Sequence, residues 1–230
     1  MEVLYYLAET YKTDAATFRY KTVADDYRIE TPEIYDYKAV EIEIRENLFK
    51  RFFENKKGSQ VEVWTRIYKK SAIEGIYFPK DVQPAEDTVF TLKVMHRIKN
   101  MAIVPLELLF YRDSQTSVMN EGKTEKYVRS HALVARVLHD YFIREKRVQG
   151  RDFENMHYYI SRIVFKTCIS QVLRKVKDKN ARKKLLDISH SLVKPLFEEE
   201  IFLPESLGIR YALASKMFLN KCYRLAKLFV

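Results

Sequence analysis

Residues 84–90 read Pro84-Ala85-Glu86-Asp87-Thr88-Val89-Phe90, and the apolar run that follows from Asn100 ends in Phe110-Tyr111-Arg112-Asp113-Ser114-Gln115-Thr116-Ser117. The first segment predicts a helix start. Glu86 and Asp87 stand where the positive end of the helix dipole favours acids, and Val89, Phe90 and Val94 turn inward over Glu86 to Arg97. The second predicts a strand over Asn100 to Phe110. Its middle is apolar on both faces (Ile103, Val104, Leu106), as in a strand buried within a sheet. A helix that hands over to such a strand belongs to an α/β layer.

Working outward, residues 1–12 predict a helix with Val3, Leu4 and Leu7 on one side. Ala15 to Val23 alternates through Ala16, Phe18, Tyr20 and Thr22, the period of a strand with one buried face. Asp25-Asp26-Tyr27 and Thr31-Pro32 form a turn region. Val40, Ile44, Leu48 and Phe52 predict a helix over 38–54 that Lys56-Lys57-Gly58 closes. Val61 to Tyr68 is extended or helical, since periodicity does not choose there.

From about Asn120 the pattern becomes helical throughout. Thr124 to Lys146 carries Tyr127, His131, Val134, Leu138 and Phe142 at helical spacing, and Phe153 to Val176 carries Met156, Ile160, Val164, Cys168 and Val172. Ala181 to Leu196 continues, Pro204 breaks the pattern, and Leu207 to Val230 predicts one last amphipathic helix. The fold class expected is α/β followed by an all-α C-terminal region.

Composition supports a folded chain. Of 230 residues 47% are apolar, with 5 Gly and 6 Pro, which excludes collagen-like and disordered classes. Residues 1–115 hold 18 basic and 19 acidic side chains, while residues 116–230 hold 23 and 12, so the +10 net charge lies wholly in the second half. The boundary near 116–122 therefore separates two parts with different surfaces, and the second favours anionic partners or is a solvated basic face. Two cysteines, Cys168 and Cys222, give no disulfide framework and fit a reducing, cytoplasmic location. The opening Met1-Glu2-Val3 reads as no signal peptide, and no run nears the roughly 18 apolar residues of a bilayer span.

Several spaced segments share one order: Trp64-Thr65-Arg66-Ile67-Tyr68-Lys69-Lys70, Ile76-Tyr77-Phe78-Pro79, Glu86-Asp87-Thr88-Val89-Phe90, Pro105-Leu106-Glu107 and Phe110-Tyr111-Arg112. In that order they resemble the second, acceptor-side half of bacterial family 2 glycosyltransferases of the GT-A type. The opening Met1 to Val23 resembles the helix and strand that follow the family's metal-binding aspartates. The resemblance covers about residues 1–118, as the acceptor-side part of a Rossmann-like GT-A domain. Residues 119–230 form a basic helical C-terminal region of a kind many relatives carry.

The resemblance implies transfer of a sugar from a nucleotide-sugar to a polysaccharide or lipid-linked acceptor. It makes Asp87 the base that takes the acceptor's proton. Glu86, on a different side of the helix, becomes a helix-start acid or an acceptor contact. Arg112 becomes a partner of the diphosphate leaving group, although Ser114, Gln115 and Thr116 replace the second basic residue and the glycine of the family pattern. Trp64 and Tyr68 shape the acceptor pocket, unless they are core aromatics. The family uses a divalent cation, Mg or Mn, held by a D-x-D in the half that this chain is expected to lack, so donor binding by the chain alone is not expected.

From the residues themselves, no metal set emerges: the five histidines (His96, His131, His139, His157, His190) show no zinc spacing. No Gly-rich phosphate loop and no nucleophile-elbow motif occurs. On 207–230, Tyr211, Phe218, Cys222, Leu225 and Phe229 share one helical face and Arg210, Lys216, Lys221, Arg224 and Lys227 the other. That suits a helix packed on the protein, or one lying on an anionic membrane surface from the cytoplasmic side. The competing function is a non-catalytic basic module for an anionic partner; scattered charge and the lack of a recognition motif argue against nucleic acid. An open sheet edge would lead to self-association or a companion chain.

Overall fold

The computed structural model describes residues 2–24, 40–54, 61–112 and 124–230. The turn at Asp25 to Pro32, the closure at Lys56 to Gly58, the segment Ser114 to Ser117 and the boundary near 116–122 lie outside these residues. The chain forms two compact units, Met1–Phe78 with Phe90–Asn120 and Pro79–Val89 with Glu121–Val230.

The first unit holds a four-stranded sheet. Its strands are β1 (Ala15–Val23), β2 (Glu41–Ile44), β3 (Arg66–Tyr68) and β4 (Asn100–Arg112), in the order β2-β4-β1-β3. The two central strands are parallel, from Ala15 opposite Met101 to Val23 opposite Arg112, and both outer strands run antiparallel to their neighbours. Two register shifts interrupt the central pair. Thr17 faces Ile103 but Arg19 already faces Glu107, so β4 carries extra residues around Pro105. Proline cannot donate to a ladder and is tolerated at such an irregularity.

Apolar residues cover both faces of this sheet. Leu4 and Leu7 of α1 (Glu2–Thr10) meet Ala16, Phe18, Ala102 and Val104. A separate cluster joins Ala15, Met101 and Ile103 to Leu48 of α2 (Arg45–Phe53), Ala72 of α3 (Lys70–Ile73), and Phe90 and Val94 of α4 (Glu86–Arg97). The fold is thus mixed α/β, a partial Rossmann-like arrangement followed by a helical C-terminal region.

The helix predicted over 38–54 is corrected. Its first part is strand β2, and the helix covers only Arg45–Phe53. Ile42 and Ile44 satisfy a period of two as well as the helical one. Pairing with β4 decides between them: Ile42 lies opposite Ala102 and Ile44 opposite Asn100. Arg51 then reaches back to the carboxylates of Glu41 and Glu43. Val61 to Tyr68, ambiguous by pattern, is a tight turn at Val63–Thr65 followed by β3.

The second unit is built of α5 (Glu125–Leu138), α6 (Gly150–Ile163), α7 (Gln171–Lys175), α8 (Lys179–Glu198), α9 (Ile209–Leu219) and α10 (Tyr223–Ala226). Wider π-helical turns extend α5 over His139–Arg144 and link α6 to α7 over Val164–Ser170. Leu138, Phe142, Met156, Ile160, Cys168, Val172, Phe202 and Phe218 are fully buried here. Burial pushes the Cys168 thiol up to about 12, while Cys222 is exposed. Inside, Ser189 Oγ donates to the Cys168 carbonyl and Leu203 N donates to Ser161 Oγ at 2.9 Å; at the surface, Arg136 holds Glu199 through two hydrogen bonds.

The single helix predicted for 207–230 is also corrected. Helix α9 stops at Leu219, Lys221 takes a left-handed conformation (φ 59°), and Cys222 N closes the end on the Met217 carbonyl at 2.8 Å. Phe218 is buried, but Leu225 and Leu228 are exposed, so the apolar stripe is not continuous. Among the described residues no helix is long and apolar enough to cross a membrane.

Two stability predictions follow from the helical unit. Asp178 Oδ1 caps α8 by accepting from Ala181 N at 2.7 Å. Asp178→Ala is expected to lower unfolding stability by about 1 kcal/mol, measured by urea denaturation. The second concerns His139 and His157, whose rings lie 5.9 Å apart. Burial holds both imidazoles below their usual value; His139 further depresses His157, while Asp140 partly offsets the effect at His139 and Arg144 and Arg136 add to it. A histidine that resists protonation in the fold stabilises it above the unfolded value of about 6.5. Stability is then lost as pH falls below that point. The melting temperature is expected to fall from pH 7.5 to pH 5.5, and less steeply in His157→Phe; equal slopes would refute the role of the pair.

Candidate functional site

The acidic turn belongs by packing to the helical unit. Several anchors fix it. The Gln83–Pro84 peptide is cis, and Ala85 stands at φ 82°, a left-handed conformation that a β-carbon disfavours. Ser130 Oγ of α5 donates to the Pro84 carbonyl, and Lys126 Nζ donates to Gln83 Oε1 at 3.2 Å. Thr88 N bonds the Ala85 carbonyl at 3.2 Å, closing the first turn of α4. The Thr88 side chain is hydrogen-bonded to Tyr159 of α6, whose phenol burial pushes up to about 12, so it stays protonated. A left-handed residue such as Ala85, held by its neighbours, is a recurrent property of functional segments.

Glu86 and Asp87 occupy this first turn, both half-buried. The positive end of the helix dipole favours acidic side chains at such a position. A depression of about 580 Å³ lies beside the turn, lined among others by Lys80, Asp81, Gln83, Lys126, Arg129 and Ser130.

In the sheet unit, the carboxyl ends of the parallel strands β1 and β4 carry an aromatic cluster. Trp64 stacks on Tyr111 (centroids 5.5 Å apart, planes 10° apart), and Tyr20 packs against both, at 4.7 and 6.0 Å. The Tyr20 hydroxyl donates to Glu62 Oε1 at 3.4 Å; burial first, then the Glu62 charge, raise its pKa. Trp64 remains 38% exposed. Arg112 is the last residue of β4, next to Tyr111 and opposite Val23. Ligands of open α/β sheets bind beyond the carboxyl ends of the strands. Trp64 and Arg112 thus lie at the same, carboxyl end of the sheet.

Tyr68 is elsewhere. It pairs opposite Ala15 at the start of β1 and meets Phe90 edge-on at 6.0 Å. It borders a separate pocket of about 340 Å³ with Tyr5, Asp14 and Lys69. Tyr20 and Glu62 were not singled out from sequence. Tyr20 lies in an alternating strand, but only the pairing of β1 with β3 and with β4 brings it to Trp64 and Tyr111. Among the described residues no group of three or more His, Cys, Asp or Glu side chains is arranged to hold a metal.

No family model matches the chain, and no curated protein matches its sequence. Solved structures do match its fold. S. aureus TarS 1–349 in complex with UDP-GlcNAc aligns with a TM-score of 0.61 at 12% identity, over 98% of this chain and 62% of that one. The same protein in complex with UDP aligns at 0.57 and 13% identity, over 98% and 60%. The longer TarS structure gives 0.55 and 12%, over 98% and 37%. The chain thus spans about three-fifths of the TarS 1–349 chains it matches, and at such identities the likeness is one of fold.

Proposed function

We propose that this chain supplies the acceptor side of a glycosyltransferase that moves a sugar from a nucleotide-sugar to a hydroxyl of a polysaccharide or lipid-linked acceptor. The observation that carries this reading is the fold likeness to a protein crystallised with UDP-GlcNAc and with UDP. The ordered segments from Trp64 to Arg112 support it.

In this reading Asp87 takes the proton of the attacking hydroxyl as the bond to the anomeric carbon forms and the nucleoside diphosphate leaves. Its carboxylate sits on a helix start fixed by Ser130, Lys126 and Tyr159. Arg112 offers a guanidinium to the departing diphosphate, where a planar fork matches phosphate oxygens. Trp64, kept flat by Tyr111, gives an apolar face to a sugar ring, and Glu86 is an acceptor contact. A divalent cation would stabilise the diphosphate when bound, but no set of described residues fits one. The metal and donor wall is assigned to a companion chain or segment.

Two measurements test this. Trp64 is the only tryptophan of the chain, so its emission reports ligands at this end of the sheet. UDP-GlcNAc with Mn²⁺ is expected to leave that emission unchanged for this chain alone; saturable quenching would refute a donor wall supplied elsewhere. With a chain carrying that wall added, transfer is followed as UDP release. Asp87→Asn is expected to cut it by about 10²–10⁴-fold with the melting temperature unchanged, and equal rates would remove Asp87 as the base.

A further inference from the structure

Tyr158, Arg162, Lys166, Ser170 and Arg174 recur at every fourth position through α6, the π-helical turns and α7. In an α-helix four residues overshoot a full turn, whereas in a π-helix they fall short of one. The opposite drifts cancel, so the wide turns at Val164–Ser170 keep the row straight. From Arg162 to Arg174 it extends at most about 18 Å, the length that an α-helical rise of 1.5 Å per residue would give.

This row forms one wall of a groove of about 400 Å³. Phe165 and Tyr211 make part of the lining, edge to face at 4.9 Å. Leu207 and Val230, the last residue, also border it, and no Asp or Glu side chain does. Among the described residues Arg162, Lys166 and Arg174 form no ion pair with an acid. Like charges one helical turn apart repel one another. Elsewhere in the unit such cations are neutralised: Arg136 by Glu199, Arg129 by Glu125 and Arg147 by Glu145. Here three cations share a concave, ring-lined surface that no acidic side chain borders.

We propose that this groove binds a linear anion bearing at least two phosphate groups. The two guanidinium groups suit phosphate oxygens, which accept two parallel hydrogen bonds from the fork. Lys166 adds a point charge between them, the Ser170 hydroxyl and the Tyr158 phenol add donors, and the rings cover the carbon part of the ligand. A compact single anion would leave one end of the row unused. The site is separate from the acidic turn and does not depend on the transfer reaction.

The full chain is titrated by calorimetry with tripolyphosphate and with inorganic phosphate at low and physiological salt. Tripolyphosphate is expected to bind at least tenfold more tightly than phosphate. Arg162→Gln/Arg174→Gln is expected to weaken it at least tenfold, while Lys194→Gln/Lys216→Gln, of equal charge change, leaves it within twofold. No binding, no preference for the longer anion, or equal loss in both double variants would overturn the proposal. A parallel arm separates the source of the phosphates. Phosphatidylglycerol vesicles that bind wild type, are displaced by tripolyphosphate and lose the Arg162/Arg174 variant assign lipid headgroups. Vesicles that do not compete assign a soluble phosphorylated chain.

Discussion

The parallel pairing of β1 with β4 is the constraint on which the sheet unit depends. It joins residues more than eighty positions apart, and loop closure over such a span must be repaid by the contacts it creates. The pair is clamped at its start. Asp14 N donates to Asn100 Oδ1 at 3.0 Å, and Lys99 N donates to Asp14 Oδ2 at 2.9 Å. From that clamp the strands run to Val23 and Arg112, and the extra residues of β4 around Pro105 shift the register on the way. Tyr20, Tyr111 and Trp64 meet because of that registry, and the same pairing supplies Ala102 and Val104 to one apolar face and Met101 and Ile103 to the other.

The acidic turn has a different support. Its backbone is unfavourable by itself, with Ala85 left-handed, and it is held by side chains of two helices, Ser130 and Lys126 from α5 and Tyr159 from α6. A stiff helix start presents its carboxylates in a fixed direction at little conformational entropy. The two places that bear the candidate residues therefore have independent scaffolds, one made of a sheet and one of helices.

What the amino-acid pattern reveals depends on how local the cause is. The helix Glu86–Arg97 is legible to the residue, because its acids, its inward Val89, Phe90 and Val94, and its basic end all act within one element. Strand β1 is legible for the same reason. The start of α2 is not: Ile42 and Ile44 fit either period, and only the backbone groups of Met101 and Ala102 resolve the choice. Nor is the break in the last helix, where no proline or glycine marks the left-handed Lys221. Among the candidate residues, Asp87, Trp64 and Arg112 could be singled out one by one. That Trp64 and Arg112 share an end of the sheet while Tyr68 lies at the other required the register, since three residues of β3 reverse the direction between them.

The two thiols are in opposite circumstances. Cys168 is sealed against α5 and α8 in a wide turn of helix and remains protonated, whereas Cys222 stands at the exposed break between α9 and α10. Thiolates that solvent can reach attack maleimides and methanethiosulfonate spin labels. The native sequence thus already provides a single attachment point for a spectroscopic label, on a corner that no candidate residue occupies, without removal of either cysteine.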